Sequence, residues 1–232
     1  KVADLQAAHR HERYAVAGAS QVAEMTRMQD EVITGIANLI ESRDGSTGLH
    51  VKNTQNYVQI LTKALREKGM YPDILDHNYE LNTVKASVLH DIGKIKTPDA
   101  ILLKPGRLTD EEFEVMKQHT VAGCEIIDRI IGNVEHEEYV DIARKIARYH
   151  HERWDGTGYP DGLSGEEIPL CARIMALADV FDALYQDRCY KKAIRPASKV
   201  FEIIKENSGS QFDPNLTEIF LELQREITDI SE

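Results

Sequence analysis

The chain has 232 residues, 42% hydrophobic and 29% charged, with 28 basic against 39 acidic residues and a formal net charge of -11. That length allows one large or two small domains, and the composition is that of a soluble globular protein. The acidic balance excludes broad, sequence-independent binding to nucleic acid, which needs a basic surface, but not a small anionic substrate, because bound metal ions reverse the field locally.

No apolar run approaches the roughly 20 residues needed to span a bilayer. The three cysteines, Cys124, Cys171 and Cys189, form no CxxC pair. They read as reduced, mostly buried thiols of a cytoplasmic protein. The chain opens on Lys1 with no signal peptide, as a piece of a longer protein would.

Taken in chain order, residues 3 to about 43 contain no proline, and Val22, Met25, Val32, Ile36 and Leu39 recur at helical, roughly heptad-like spacing. Two readings stay open for this stripe: a first core helix, or a signalling helix that pairs with its copy in a dimer. Gly45 and Gly48 break the helix. A second helix runs from about His50 to Lys68, with His50, Thr54, Tyr57, Leu61 and Leu65 on one face. A third is expected over about 78–91, with Gly93 as its stop. "TDEE" at 109–112 reads as a capping box that opens a helix through about Ile131, with His119 inside it. Tyr139, Ala143, Ile146 and His150 stripe the next helix. A stretch rich in glycine and proline follows, and then a strongly apolar helix that contains Asp179 and Asp182. No period-2 alternation long enough for a sheet occurs, so an all-α fold is expected.

A single histidine on an apolar helix face is more often a hydrogen-bonded core residue than a ligand. Here His50, His90, Asp91, His119, His150 and Asp179 all fall on inward-facing helix positions or helix ends. Burying so many imidazoles and carboxylates without partners is very costly, and sharing metal ions is one cheap solution. Adjacent pairs such as His90–Asp91 and His150–His151 can serve two ions, with Asp91 bridging. Nitrogen and oxygen ligands without thiolate suit iron or manganese better than structural zinc.

Four stretches carry a resemblance to a known family: "HDIGK" at 90–94, "KPGRLTDEEFEVMKQH" at 104–119, "HHERWDGTGYP" at 150–160 and "ARIMALADVFDALYQDRCYKKA" at 172–193. Together they resemble the HD-GYP branch of the HD metal-dependent phosphohydrolases, over about Glu41 to Phe220. The resemblance implies an all-α, HD-type helical bundle behind a long N-terminal helix, with residues 1–40 as signalling or dimerisation helix and 41–232 as catalytic domain. It implies a cytoplasmic phosphodiesterase that hydrolyses cyclic di-GMP to pGpG, and further to GMP, by attack of hydroxide activated between two metals.

By position in the motifs, the metal ligands are His50, His90, Asp91, His119, His150, His151 and Asp179, and Asp91 and Lys94 carry the catalysis. Lys94, Gly158, Tyr159, Pro160, Arg188 and Lys191 meet substrate. The bland reading of Arg188 and Lys191 is a solvated helix end. Two departures matter. Ser46 stands where members with three metals carry glutamate, which favours two ions, and Cys189 replaces a frequent proline. Such domains often follow a receiver domain, so an output domain of a response regulator is expected. A homodimer through the first helix and a diguanylate cyclase partner at the GYP lip are expected too. Three rival readings are hydrolysis of another cyclic dinucleotide such as cyclic GMP-AMP, a catalytically idle binding module, and a di-iron oxygenase.

Overall fold

The computed structural model describes residues 21, 24–25, 27–44, 49–132, 137–186 and 193–231. Val22, Ser46, Arg188, Cys189 and Lys191 lie outside the described residues. The described residues contain helices and no strand, as the absent alternation predicts. The chain divides into two compact units, 1–36 and 37–232.

Residues 27–41 are helical (α1). In the first unit Met25, Met28, Val32 and Ile36 are exposed. In the second unit the helix buries Ala37, Ile40 and Glu41, while Leu39 is 69% exposed. The inward face at this end is therefore set by 37, 40 and 41, one step round the helix from the expected stripe.

The second unit is a helical bundle. Its members are α2 (His50–Glu67), α3 (His77–Ala86), α4 (Asp99–Leu102), α5 (Asp110–Ile131), α6 (Glu137–Tyr149), α7 (Leu170–Tyr185), α8 (Ala197–Glu206), α9 (Pro214–Glu222) and α10 (Gln224–Ser231). Helix α7 is the centre of the bundle and packs on α2, α6, α8 and α9. Its positions from Leu170 to Ala178 are all buried, because a helix apolar all round has no face for water. Helix α2 turns Thr54, Tyr57, Leu61 and Leu65 fully inward. Helix α5 starts with the expected capping box: Thr109 accepts from the Glu112 amide while Glu112 accepts from the Thr109 amide. Cys171 is buried and its thiol is pushed up to about 11 by that burial, which makes it unreactive; Cys124 is half-buried.

One element departs from expectation. The third helix does not run to 91: α3 ends at Ala86, and the chain continues as 3-10 turns over Ser87–Leu89 and Ile92–Lys96. The reason lies at Gly93, where a Cβ would sit 1.8 Å from the His119 carbonyl oxygen. The segment lies flush against α5, and a regular helix with side chains there cannot approach so closely.

Candidate metal centre

Four histidines present the same nitrogen to one buried space, and local geometry decides which. His50 opens α2 and donates from Nδ1 to Asp182 Oδ2 at 2.6 Å. His90 donates from Nδ1 to the Ser87 carbonyl at 2.9 Å. His119 does the same to the Met116 carbonyl at 2.7 Å, and His150 to the carbonyls of Ile146 and Ala147 at 3.0 and 3.2 Å. Each acceptor can only accept, so every Nδ1 carries the proton and every Nε2 of a neutral ring is a bare lone pair. This outer bonding is what orients metal-ligating histidines.

The bare nitrogens converge. His50 Nε2 and His90 Nε2 are 3.4 Å apart, and two lone pairs facing each other need a cation or a proton between them. Asp179 Oδ1 lies 3.5 Å from His50 Nε2. Asp91 stands between two groups. Its Oδ1 is 3.3 Å from His119 Nε2 and 3.7 Å from His150 Nε2, and its Oδ2 is 3.3 Å from His90 Nε2 and 2.7 Å from Lys94 Nζ. The His151 ring lies 4.0 Å from His150, centroid to centroid, tilted by 43°. Asp91, His119, His150 and His151 thus form one set of donors within 4.8 Å of one another, and His50, His90 and Asp179 form a second.

Burial and charge mark the space as one built for cations. Asp91 Oδ1, His119 Nε2 and His150 Nε2 are buried without a hydrogen bond within the protein, a state too costly to leave unfilled. Burial depresses His119 to about 4 and His151 well below its ordinary value. Burial also opposes charge on His90, but Asp91, Asp179 and Glu41 outweigh it and raise His90 to about 9. Burial would raise Asp91, yet Lys94 and His90 hold it far below the ordinary carboxylate range. The residues fit divalent metal ions, which would take the place of that histidine proton. Two groups of donors with Asp91 facing both can hold two ions, and such a pair would supply Lewis acidity and an activated water.

The glycine-rich stretch after His151 is a folded lip. Gly156, Gly162 and Gly165 adopt positive φ of 79°, 70° and 54°, the region open to glycine at no cost. Gly158 has a different duty: its missing Cβ leaves room for the backbone of Glu152 and Arg153, 2.3 Å from the Arg153 nitrogen. The glycines first let the chain pack on itself. Buried Glu152 accepts from the amides of Asp161 and Gly162 at 2.8 and 3.0 Å. Arg148 grips Asp161 through two hydrogen bonds. So held, Tyr159 lies 4.9 Å from the His151 ring and 5.9 Å from Phe113, and Lys117 sits over both Phe113 and Tyr159.

The structure brings together His50, His90, Asp91, Lys94, His119, His150, His151 and Asp179, with Tyr159 and its neighbours Gly158 and Pro160 at the rim. Residue-by-residue reading missed two acids. Asp182 lies inside the same apolar helix as Asp179, three residues on, and a carboxylate in that setting requires a partner, so a signal existed. Glu41 was legible only as the end of a helix, yet it is 2% exposed with Oε1 3.9 Å from His50 Nε2.

Comparison with known proteins identifies the family. Residues 36–216 match the HD domain family. A cyclic di-GMP phosphodiesterase of Vibrio cholerae is 44% identical over 90% of this chain and 42% of its own length. A 3'3'-cGAMP-specific phosphodiesterase of the same organism is 37% identical over 83% of this chain and 34% of its own. The chain therefore spans less than half the length of these relatives. The crystal structure of a cyclic GMP-AMP specific phosphodiesterase of V. cholerae superposes with a TM-score of 0.57 at 20% identity, over 86% of this chain and 52% of that one, which is a likeness of fold. The chain belongs to the HD domain family, in its HD-GYP branch.

Proposed function

We propose that this chain is a metal-dependent phosphodiesterase that hydrolyses cyclic di-GMP to linear pGpG and, in a second cut, to GMP. The observation that carries this is the Asp91 carboxylate, which faces His119 and His150 with one oxygen and His90 and Lys94 with the other. Residues so arranged suit two ions, and nitrogen and oxygen donors suit iron or manganese.

In the hydrolysis, water adds to phosphorus, the bond to the 3′ oxygen breaks, and that oxygen takes a proton. The ions supply charge stabilisation and an activated water. His50, His90, Asp91, His119, His150, His151 and Asp179 hold them. Lys94, 12% exposed beside Asp91, places its ammonium where a phosphate oxygen gains charge. Tyr159, with Gly158 and Pro160, offers an aromatic rim for a guanine base. Arg188 and Lys191, outside the described residues, are assigned by their place in the motif to substrate phosphates or bases. Catalysis belongs to residues 41–232, and residues 1–40 carry input from a receiver-type domain and pair two copies. The chain works in the cytoplasm, with the lip open to a diguanylate cyclase domain; no described helix is long and apolar enough to cross a membrane.

A second substrate, cyclic GMP-AMP, is favoured by the 37% identity to the 3'3'-cGAMP-specific relative. The test is product analysis on both cyclic dinucleotides under anaerobic conditions with iron or manganese. Asp91→Ala is expected to abolish turnover and lower metal content together, and Lys94→Ala to keep the metal and slow turnover about 100-fold or more, the scale of one lost charge-stabilising donor. Full turnover by both variants refutes the assignment of the site. Turnover of cyclic GMP-AMP alone replaces the substrate.

A further inference from the structure

We propose that Glu41, the last residue of α1, is a further ligand of the metal centre, on the ion held by His50. The inference rests on the metal-dependent reading above and adds a residue that the sequence motifs leave out.

Three observations converge. The Glu41 side chain is 2% exposed and points into the centre. Its Oε1 is 3.9 Å from His50 Nε2, and one donor atom each from Glu41, His50 and Asp91 lie within 4.8 Å of one another. His50 has one nitrogen to give, because Asp182 holds the other. Donors about 2.1 Å from one ion can stand at most about 4.2 Å apart. Glu41 Oε1, 3.9 Å from His50 Nε2, meets that limit.

The other Glu41 oxygen lies 3.6 Å from Lys94 Nζ, so a competing role is that of counter-ion to Lys94 alone. Distance separates the roles: Lys94 has Asp91 at 2.7 Å, so Glu41, at 3.6 Å, is the more distant of these two carboxylates. The neighbouring chain holds Glu41 in place. Arg43 donates to the carbonyls of Lys94 and Thr97 at 3.1 and 3.3 Å and to Asp99 at 2.6 Å, clamping the end of α1 against the segment that bears Asp91 and Lys94.

The test is metal uptake without nucleotide. The full chain and its variants are stripped, reloaded anaerobically with Fe(II) or with Mn(II), and titrated against a chelator while metal per chain is measured. The native chain is expected to hold two ions. Glu41→Gln is expected to weaken one of them about tenfold or more, the least that loss of a supporting group costs, and to leave the other unchanged. Glu41→Asp, which keeps the charge near Lys94 but withdraws the oxygen from His50, is expected to weaken the same ion. Lys94→Ala is expected to keep both, and the Glu41→Gln loss is expected to persist in the Lys94→Ala background. Thermal unfolding of the metal-free forms checks that each variant folds; Glu41→Asp serves if Glu41→Gln does not. Unchanged affinity in either Glu41 variant overturns the proposal and leaves the phosphodiesterase reading intact. Loss confined to chains that retain Lys94 assigns Glu41 to Lys94 and also overturns it. A native chain that takes up no metal overturns both.

Discussion

At the scale of single residues, the centre is organised by what holds the histidines from behind. Asp182 is the clearest case. It is 1% exposed and accepts from His50 Nδ1 and Asn53 at 2.6 and 3.0 Å, with the Tyr57 hydroxyl at 3.5 Å. A charged acceptor keeps the proton on Nδ1 and makes Nε2 a better donor to a metal. Asp182→Asn keeps the shape but removes the charge. It is expected to lower metal affinity at the His50 ion about 10- to 100-fold, the usual cost of a lost outer partner, as a chelator titration would read. Affinity equal to that of the native chain would mean that the His50 tautomer is set elsewhere.

At the scale of elements, the lip shows how a glycine-rich stretch becomes a rigid support. Glu152 gathers two backbone amides, Arg148 holds Asp161, and Gly158 lies flat on the Glu152–Arg153 backbone. An added methyl at Gly158 meets backbone, which cannot swing aside as a side chain can. Gly158→Ala is expected to displace Tyr159 and lower kcat/KM about 100-fold, since a displacement near 1 Å costs that much in a positioned site, while metal content stays at the native level. Steady-state kinetics beside elemental analysis distinguishes this from damage to the centre, which would lower both. The same close packing explains why the third helix stops early. "VLHDIGK" carries helix-forming residues, but Gly93 against the His119 carbonyl requires a flush turn, and this turn aims Asp91 at His119.

At the scale of the whole molecule, a buried ion pair ties the central helix to the C-terminal ones. Arg173 of α7 reaches Asp213 at 2.6 Å, with side chains 7% and 0% exposed, and lies over the Tyr71 and Trp154 rings. Asp213 also caps α9. Asp213→Ala strands a buried guanidinium and removes the cap, so it is expected to cost about 3–5 kcal/mol, the range for breaking a buried pair. Urea unfolding measures it, and a loss below about 1 kcal/mol would show that the pair behaves as if exposed. The first helix gives a second prediction. Met25, Met28, Val32 and Ile36 are exposed apolar positions at helical spacing, as on a surface that pairs with its copy. Sedimentation of the full chain is expected to give a dimer, and a chain starting at Gln29 a weaker one. Monomers of equal activity from both would remove the helix from any role in assembly.

How much was legible follows from how far each signal travels along the chain. Helical periodicity, the Thr109 capping box and the apolar run of α7 are local, and their spacing alone determined the all-α class. The HD and HH pairs and the long motifs identified the family and its candidate ligands. Tertiary structure decided what depends on residues distant in sequence. It set which histidine nitrogen is bare, because the acceptors behind the rings lie in their own turn or, for His50, 132 positions away in Asp182. It placed Asp91 between two groups of donors through the contact of Gly93 with α5. It also brought Glu41 inward, where the sequence offers only a helix end before two glycines. Spacing along a chain can report a face or a cap, but not a distance between side chains from different helices, and a metal centre is made of such distances.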